Sequence, residues 1–147
     1  MSVRFDGRVA IVTGGARGLG FAHANLLASL GAAVVVNDIG SEVDEQGTSG
    51  DVAREAVAVL QRAGHTAVAS TDSITERAGA QAVVQTAIDS FGKVDILVNN
   101  AGIALQKPVG GLTDQDFKRY FASTCGVRST SPARYGGVCG SSVTGGC

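Results

Sequence analysis

The sequence of 147 residues has few of the features that indicate a metal-binding, nucleic-acid-binding or membrane protein. It has no tryptophan and only two prolines, and its two histidines have no histidine or cysteine partner at metal-ligand spacing. Its 12 basic and 13 acidic residues nearly cancel, so no basic stripe points to nucleic acid. No apolar run approaches the length that spans a membrane. We therefore expect no resident metal, no nucleic-acid partner and no membrane.

Cysteine usage and the first residues bear on where the protein works. The three cysteines all lie beyond residue 124, and their spacing and odd number fit neither a zinc site nor a disulfide framework. Near the start of the sequence, Arg4, Asp6 and Arg8 interrupt any secretory-signal pattern. The sequence accordingly predicts a cytoplasmic protein.

Strand and helix patterns alternate along most of the chain. Short apolar, β-branched runs predict strands at residues 8–13, 32–37, 65–70 and 94–98. Amphipathic segments predict helices at residues 17–30 and 51–63, then from a Thr75 cap to Phe91, and again from Thr113. In the first helix we expect an inward face made of Leu19, Ala22, Leu26 and Leu30.

The alternation and the uninterrupted apolar strands together predict the fold class. Strands of this kind are typical of a parallel sheet that is covered by helices on both faces. Right-handed crossovers then favour the spatial order 3-2-1-4. We predict an α/β protein with a Rossmann-type doubly wound sheet, truncated after about four strands.

A glycine-rich turn joins the first strand to the first helix. Gly14 suits the tight turn, Gly18 allows a close approach of the backbone, and Gly20 allows helix and strand to pack closely. The free N–H groups at the start of the helix, from Arg17 through Leu19, would face an anion there. This turn predicts a cradle for the pyrophosphate of a dinucleotide.

Asp38 lies at the end of the second strand, 18 residues after Gly20. A carboxylate there can accept hydrogen bonds from the adenosine ribose and would repel a 2′-phosphate, which favours NAD over NADP. Arg17 is a mild signal in the other direction, because a guanidinium beside the cradle could meet that phosphate. The alternative for Asp38 is an aspartate that forms a turn.

Polar residues also follow the third and fourth strands. Asp72, assisted by Ser73, could accept a hydrogen bond from the adenine amino group, although an Asx-turn before the helix is equally well supported. Residues 99–102 read Asn-Asn-Ala-Gly: Asn99 and its neighbour can pin adjacent strands, and Ala101 and Gly102 leave room for a ribose. An ordinary turn is the alternative.

These motifs together resemble the short-chain dehydrogenase/reductase family over about residues 5–121. The family pattern TGxxxGxG is met by Thr13, Gly14, Gly18 and Gly20, and its NNAG motif by residues 99–102. The resemblance also makes Asp38 the selector for NAD and Asp72 the adenine contact. Residues 36–40 and the long loop after them look like the 3-hydroxyacyl-CoA dehydrogenase unit of peroxisomal multifunctional enzymes and their bacterial relatives.

The resemblance implies hydride transfer between NAD and a hydroxy or keto substrate in a protein that is usually a homo-oligomer. In the family a tyrosine, a lysine four residues after it, and a serine carry this chemistry. Tyr135 is followed at that distance by Cys139, and Ser141 and Ser142 have no tyrosine after them. No catalytic residue can therefore be assigned. A nucleotide-binding module without catalysis and a non-functional fragment are the competing interpretations.

From about Phe121 the sequence changes character, because helical periodicity stops and glycine, serine and threonine dominate. If each codon takes the third base of the preceding residue and the first two of its own, residues 122–146 can be read as RVHLWGTFHVTRAVWRGMRQQRDGR. That string resembles the family segment between strands four and five. We predict an incomplete NAD-binding domain at residues 1–121 and an irregular, out-of-frame and disordered tail at 122–147. A genuine divergent tail is the alternative.

Overall fold

The computed structural model describes residues 3–40, 51–102, 111, 113–116 and 118. Four strands and three helices alternate along these residues. The strands are β1 (Val9–Thr13), β2 (Ala33–Asn37), β3 (Ala67–Ser70) and β4 (Ile96–Asn99). The helices are α1 (Gly18–Ser29), α2 (Asp51–Arg62) and α3 (Arg77–Phe91).

The four strands form one parallel sheet in the order β3-β2-β1-β4, which confirms the predicted fold class and topology. The register aligns the last residues of all four strands. Thr13 pairs with Asn37 on one side and with Asn99 on the other, and Asn37 pairs with Ser70. We call the side of the sheet where these strands end the carboxyl edge, and the opposite side the amino edge.

Helices cover both faces of the sheet, as a doubly wound fold requires. On one face, α1 and α2 pack over a buried cluster that includes Ala10, Val34 and Leu60. On the other face, α3 packs over a second cluster around Ile11, Val35 and Val83. Residues of β1 and β2 alternate between the two clusters because successive side chains of a strand point to opposite faces.

The inward face predicted for α1 is wrong. Leu19 and Leu26 are 75% and 56% exposed, and the buried residues are Gly20, Ala24 and Ala28. These three small residues recur at every fourth position and so form one stripe along the helix. At Gly20 a side chain would collide with the carbonyl oxygen of Gly14, so this small-residue stripe faces the sheet while Leu19 and Leu26 turn outward.

The predicted Thr75 cap of the third helix is also wrong. The helix begins two residues later, at Arg77, with Glu76 in the cap position and no side-chain hydrogen bond there. Thr75 instead joins a local turn, in which its hydroxyl lies 2.7 Å from that of Ser73. Thr113 does cap the next helical turn, because its hydroxyl accepts a hydrogen bond from the N–H of Asp116.

At the amino edge, one carboxylate gathers three donors. Asp95 accepts hydrogen bonds from the N–H of Val9 and from Arg8, and Lys93 lies 3.1 Å from it. Burial raises the pKa of Asp95, but these hydrogen bonds outweigh burial and hold the pKa below its ordinary value. The cluster fixes the start of β1 against β4.

No helix among the described residues is long and apolar enough to cross a membrane. The tail predicted at residues 122–147 lies outside the described residues, and so does the loop at residues 41–50.

Candidate functional site

The carboxyl edge brings together the site residues predicted from the sequence, which lie in the loops after the four strands, in the first turn of α1 and at the end of β4. Residues 14–17 follow β1, residues 38–40 follow β2, residues 71–73 follow β3 and residues 100–102 follow β4. Because the strand ends are in register, these four loops begin at the same level of the sheet. Ligands of open α/β sheets bind at such an edge.

The glycine turn has the conformation that its sequence predicts. Gly14 and Gly18 adopt φ angles of +60° and +53°, in the left-handed region that favours glycine. A side chain at Gly20 would collide with the carbonyl oxygen of Gly14, so α1 can pack against the turn only with glycine there. A side chain at Gly18 would meet open space, which leaves the outer side of the turn clear.

The first backbone N–H groups of the turn are already engaged. Gly15 donates to the carbonyl oxygen of Asn37 at 3.0 Å, and Ala16 donates to a carboxylate oxygen of Asp38 at 3.1 Å. In the part of the chain that the structure describes, no group accepts a hydrogen bond from the N–H groups of residues 18–20. These orphan donors at the start of α1 suit a phosphate.

Asp38 fastens the glycine turn to the end of β2. One carboxylate oxygen accepts from Ala16, and the other accepts from the N–H of Gly40 at 2.9 Å. The turn interpretation of Asp38 is thus correct for one oxygen, while its predicted bond to a ribose stays a prediction. No cation among the described residues forms an ion pair with this half-buried carboxylate, and the side chain of Arg17 is exposed.

A second tie joins the turn to the end of β4. The buried hydroxyl of Thr13 accepts hydrogen bonds from the N–H groups of Asn100 and Ala101, both at 3.1 Å. The side-chain amide of Asn100 donates to the carbonyl oxygens of Thr13 and Gly14. The NNAG segment is therefore pinned to the glycine turn through Asn100, whereas the role predicted for Asn99 stays a prediction.

Asp72 is half-buried and belongs to a third tie. The hydroxyl of Ser70 donates to one carboxylate oxygen of Asp72 at 2.9 Å. The side-chain amide of Asn37 donates to the carbonyl oxygen of Asp72, also at 2.9 Å. The Asx-turn alternative is not what the side chain does, because its carboxylate faces back toward Ser70 rather than forward into the helix.

The remaining predicted residues lie at the same edge with few contacts of their own. Leu19, Asn99 and Gly102 are exposed, and the side chain of Ser73 bonds, among the described residues, within its local turn. Their predicted contacts with a cofactor stay predictions.

A sequence model of the short chain dehydrogenase family matches residues 8–126. The chain belongs to the short-chain dehydrogenase family. The match covers the glycine turn, the four strands and the NNAG segment, so the family resemblance drawn from those motifs is confirmed.

Two proteins of known sequence are similar to most of this chain. "Peroxisomal multifunctional enzyme A" of Dictyostelium discoideum is 45% identical over 117 residues, which are 80% of this chain and 26% of that enzyme. "Hydroxyacyl-CoA dehydrogenase ChsB1" of Mycobacterium tuberculosis is 42% identical over 117 residues, covering 80% of this chain and 35% of that protein.

A solved structure is also similar to this chain in both sequence and fold. A 7α-hydroxysteroid dehydrogenase, complexed with NADH and 7-oxo glycochenodeoxycholic acid, is 36% identical with a TM-score of 0.74. The match covers 87% of this chain and 48% of that one. This short-chain dehydrogenase therefore spans less than half the length of each of these three proteins.

Sequence reasoning missed several residues that shape the site of this short-chain dehydrogenase. Gly15 was given no role, yet a side chain on it would lie 2.8 Å from the carbonyl oxygen of Val12. The sequence pattern shows Asn37 and Ser70 only as the ends of strands, although their side chains hold Asp72. A polar residue that ends an otherwise apolar strand was the available signal, because a buried polar group needs partners.

Proposed function

We propose that this chain binds NAD at the carboxyl edge of its sheet, as the cofactor-binding part of an oxidoreductase. The observation that carries the proposal is the Asp38 carboxylate, which pairs with no cation among the described residues, beside the N–H groups of residues 18–20 that no described group accepts. Orphan donors attract a pyrophosphate, and a carboxylate at the end of β2 accepts from ribose hydroxyls. The residues present fit the cofactor, since its phosphates and adenosine would meet complementary groups.

In this proposal each predicted site residue has a place along the cofactor. Gly14, Gly18 and Gly20 shape the pyrophosphate cradle, with the backbone of Arg17 and Leu19 beside it. Asp38 holds the adenosine ribose, and Asp72 with Ser73 contacts the adenine. The remaining contacts, toward the nicotinamide half, come from Asn99, Ala101 and Gly102.

The proposed substrate is a hydroxy or keto compound, with 3-hydroxyacyl-CoA as the favoured class. This choice is supported by the similarity to the mycobacterial hydroxyacyl-CoA dehydrogenase. Bound NAD supplies a hydride acceptor, and a protein base would take the hydroxyl proton of the substrate.

A comparison of NAD with NADP tests the cofactor assignment. We expect titration calorimetry to show NAD binding about 100-fold more tightly than NADP, because a 2′-phosphate would lie against the Asp38 carboxylate. Asp38→Ser removes the repulsion and should reduce this preference to about tenfold or less. Asp89→Ser removes the same charge from the exposed side of α3 and should leave the preference unchanged. Equal affinity for both cofactors, or no binding, would contradict the assignment.

The second candidate function is NAD binding without hydride transfer. No tyrosine in the printed sequence is followed four residues later by a lysine, so the general base of the family has no counterpart in it. We expect no change in NADH absorbance when the 147-residue chain is mixed with NAD and a 3-hydroxyacyl-CoA. Turnover would show that another group supplies the base.

We further propose that the reading frame shifts between about Asp116 and Ala122. Support comes from the offset reading of residues 122–146. Sequencing the coding DNA from the Thr113 codon onward tests this directly. An inserted or missing base or two, followed in the restored frame by a serine and a Tyr-x-x-x-Lys, is expected; an intact frame would favour a genuine divergent tail.

For location we keep the cytoplasm, and for partners a small-molecule substrate with neither nucleic acid nor membrane. The balanced charge of the sequence supports the absence of a nucleic-acid partner, and the interruption of any secretory-signal pattern by Arg4, Asp6 and Arg8 supports the cytoplasm. The peroxisomal names of the relatives offer a competing location, which fluorescence microscopy of the tagged chain would distinguish. Homo-oligomers are usual in the family, but we expect assembly to be weakened in this chain, which light scattering of the purified chain would measure.

A further inference from the structure

The side chains of Asn37 and Ser70 form a small polar cluster beneath Asp72. Both are almost fully buried, at 2% and 4% exposure, although asparagine and serine are mostly surface residues. Asn37 donates to the carbonyl oxygen of Asp72 at 2.9 Å and to the hydroxyl of Ser70 at 3.3 Å. The cluster therefore links the end of β2 to the loop after β3.

The direction of each hydrogen bond in this cluster is determined by chemistry. The carbonyl oxygens of Ser70 and Asp72 can only accept, so the amide of Asn37 must present its NH₂ group to them. The hydroxyl of Ser70 receives N–H groups from Asn37 and Asp72 and has one hydrogen to give. That hydrogen goes to the Oδ2 atom of Asp72 at 2.9 Å.

One oxygen of the Asp72 carboxylate is thus held while the other stays available. Among the described residues, no donor lies on Oδ1, and no cation pairs with this half-buried side chain. An ionised carboxylate only accepts hydrogen bonds, so Oδ1 suits an N–H donor and repels a carbonyl oxygen. Holding the side chain in place before binding also removes the cost of ordering it.

We propose that Asn37 and Ser70 are positioning residues that aim the Asp72 carboxylate at the exocyclic amino group of adenine. The inference rests on the proposed NAD function and adds how the base is recognised. Through this arrangement the site selects adenine over hypoxanthine, which carries a carbonyl group at the same ring position. Asn37 and Ser70 act only through Asp72 and touch no part of the cofactor.

The test compares NAD with its hypoxanthine analogue by titration calorimetry on the full chain. For the wild type we expect the analogue to bind about tenfold more weakly, since it loses one charge-assisted hydrogen bond. Ser70→Ala should weaken NAD by about tenfold while leaving the analogue nearly unchanged, so that the ratio of the two dissociation constants falls to about one. Ser70→Thr keeps the hydroxyl and should keep the wild-type ratio.

Two more variants separate positioning from stability. Asn37→Ala should also lower the ratio, because Ser70 loses its fixed partner. Val34→Ala removes buried methyl groups from the same strand without touching the cluster, so it should lower the melting temperature and leave the ratio intact. A purely structural cluster would change both affinities equally and preserve the ratio in every variant.

The outcomes distinguish this inference from the proposed function. A wild type that binds neither dinucleotide overturns both. A wild type that binds both with equal affinity supports a dinucleotide site and overturns adenine selection by Asp72. Wild-type selectivity that survives Ser70→Ala and Asn37→Ala leaves the NAD function standing and overturns the positioning role.

Discussion

Carboxylates at the two edges of the sheet differ in the charge of the groups that bond to them. At the amino edge, Asp95 is met by Arg8, Lys93 and a backbone N–H. At the carboxyl edge, the described donors to Asp38 and Asp72 are all neutral, namely backbone N–H groups and a serine hydroxyl. The amino edge is therefore neutralised within the protein, whereas the carboxyl edge keeps negative charge for a ligand.

Backbone groups show the same contrast. At the amino edge, α2 and α3 end in glycines with positive φ angles, Gly64 and Gly92, whose N–H groups bond back into the preceding helices. At the carboxyl edge, α1 begins with N–H groups that no described residue accepts. Among the described residues, N–H groups without an acceptor at a helix start therefore distinguish the carboxyl edge, where a ligand could bind, from the amino edge.

The largest expected effect comes from Gly20→Ala, compared with Gly64→Ala. A methyl group on Gly20 collides with the carbonyl oxygen of Gly14, so α1 must move away from the turn. We expect a loss of about 3 kcal/mol in unfolding free energy and loss of NAD binding. Gly64 has a positive φ but open space around it, so alanine there should cost about 1 kcal/mol and spare binding. Urea unfolding and calorimetry measure both; equal effects would break the contrast between the edges.

An intermediate effect is expected for Thr13→Val, which keeps the shape and removes the hydroxyl. The N–H groups of Asn100 and Ala101 then lose their shared acceptor, at a cost of about 2 kcal/mol. Amide hydrogen exchange should speed up at these two residues, and NAD affinity should fall because the NNAG segment loosens. Thr13→Ser keeps the hydroxyl and should preserve their protection; fast exchange in that variant as well would show that the methyl group matters more.

The smallest effect is expected for Asp95→Asn at the amino edge. Loss of the charge should lower the unfolding free energy by about 1 kcal/mol at neutral pH, since Arg8 and Lys93 are well exposed and their attraction is screened. NAD affinity should not change.

The pH dependence of that difference follows from the lowered pKa of Asp95. Near the ordinary value of 3.8 the unfolded chain binds more protons than the folded one, so folding gains stability as pH rises. The advantage of wild type over Asp95→Asn should be complete above about pH 5 and should disappear as pH falls through the folded pKa. A difference that stays constant down to pH 2 would mean that Asp95 contributes by shape alone.

Much of the fold was predictable because its signals are local. The apolar strands at residues 9–13 and 33–37 and the glycines between them specify a strand, a turn and a helix without help from the rest of the chain. The inward face of α1 was not predictable in this way. Leucine at positions 19 and 26 reads as core by periodicity, but the close approach fixed by Gly20 rotates small residues inward.

In the candidate site, too, some residues could be predicted from the sequence and others could not. Asp38, Asp72 and the NNAG segment could be located from the sequence because each directly follows an apolar strand, and parallel strands end at one edge. Their partners could not be inferred, since Asn37 and Ser70 lie 33 residues apart and meet only through the register of β2 with β3.

The sequence by itself determined the order of strands and helices, the edge where a ligand would bind and the family to which the chain belongs. These properties depend on the type and spacing of residues close together in the chain. Tertiary structure alone decided which face of α1 is buried, which oxygen of Asp72 is held, and that Asp38 braces the glycine turn. Each of these depends on how closely separate segments approach, and the packing of the whole sheet sets that distance.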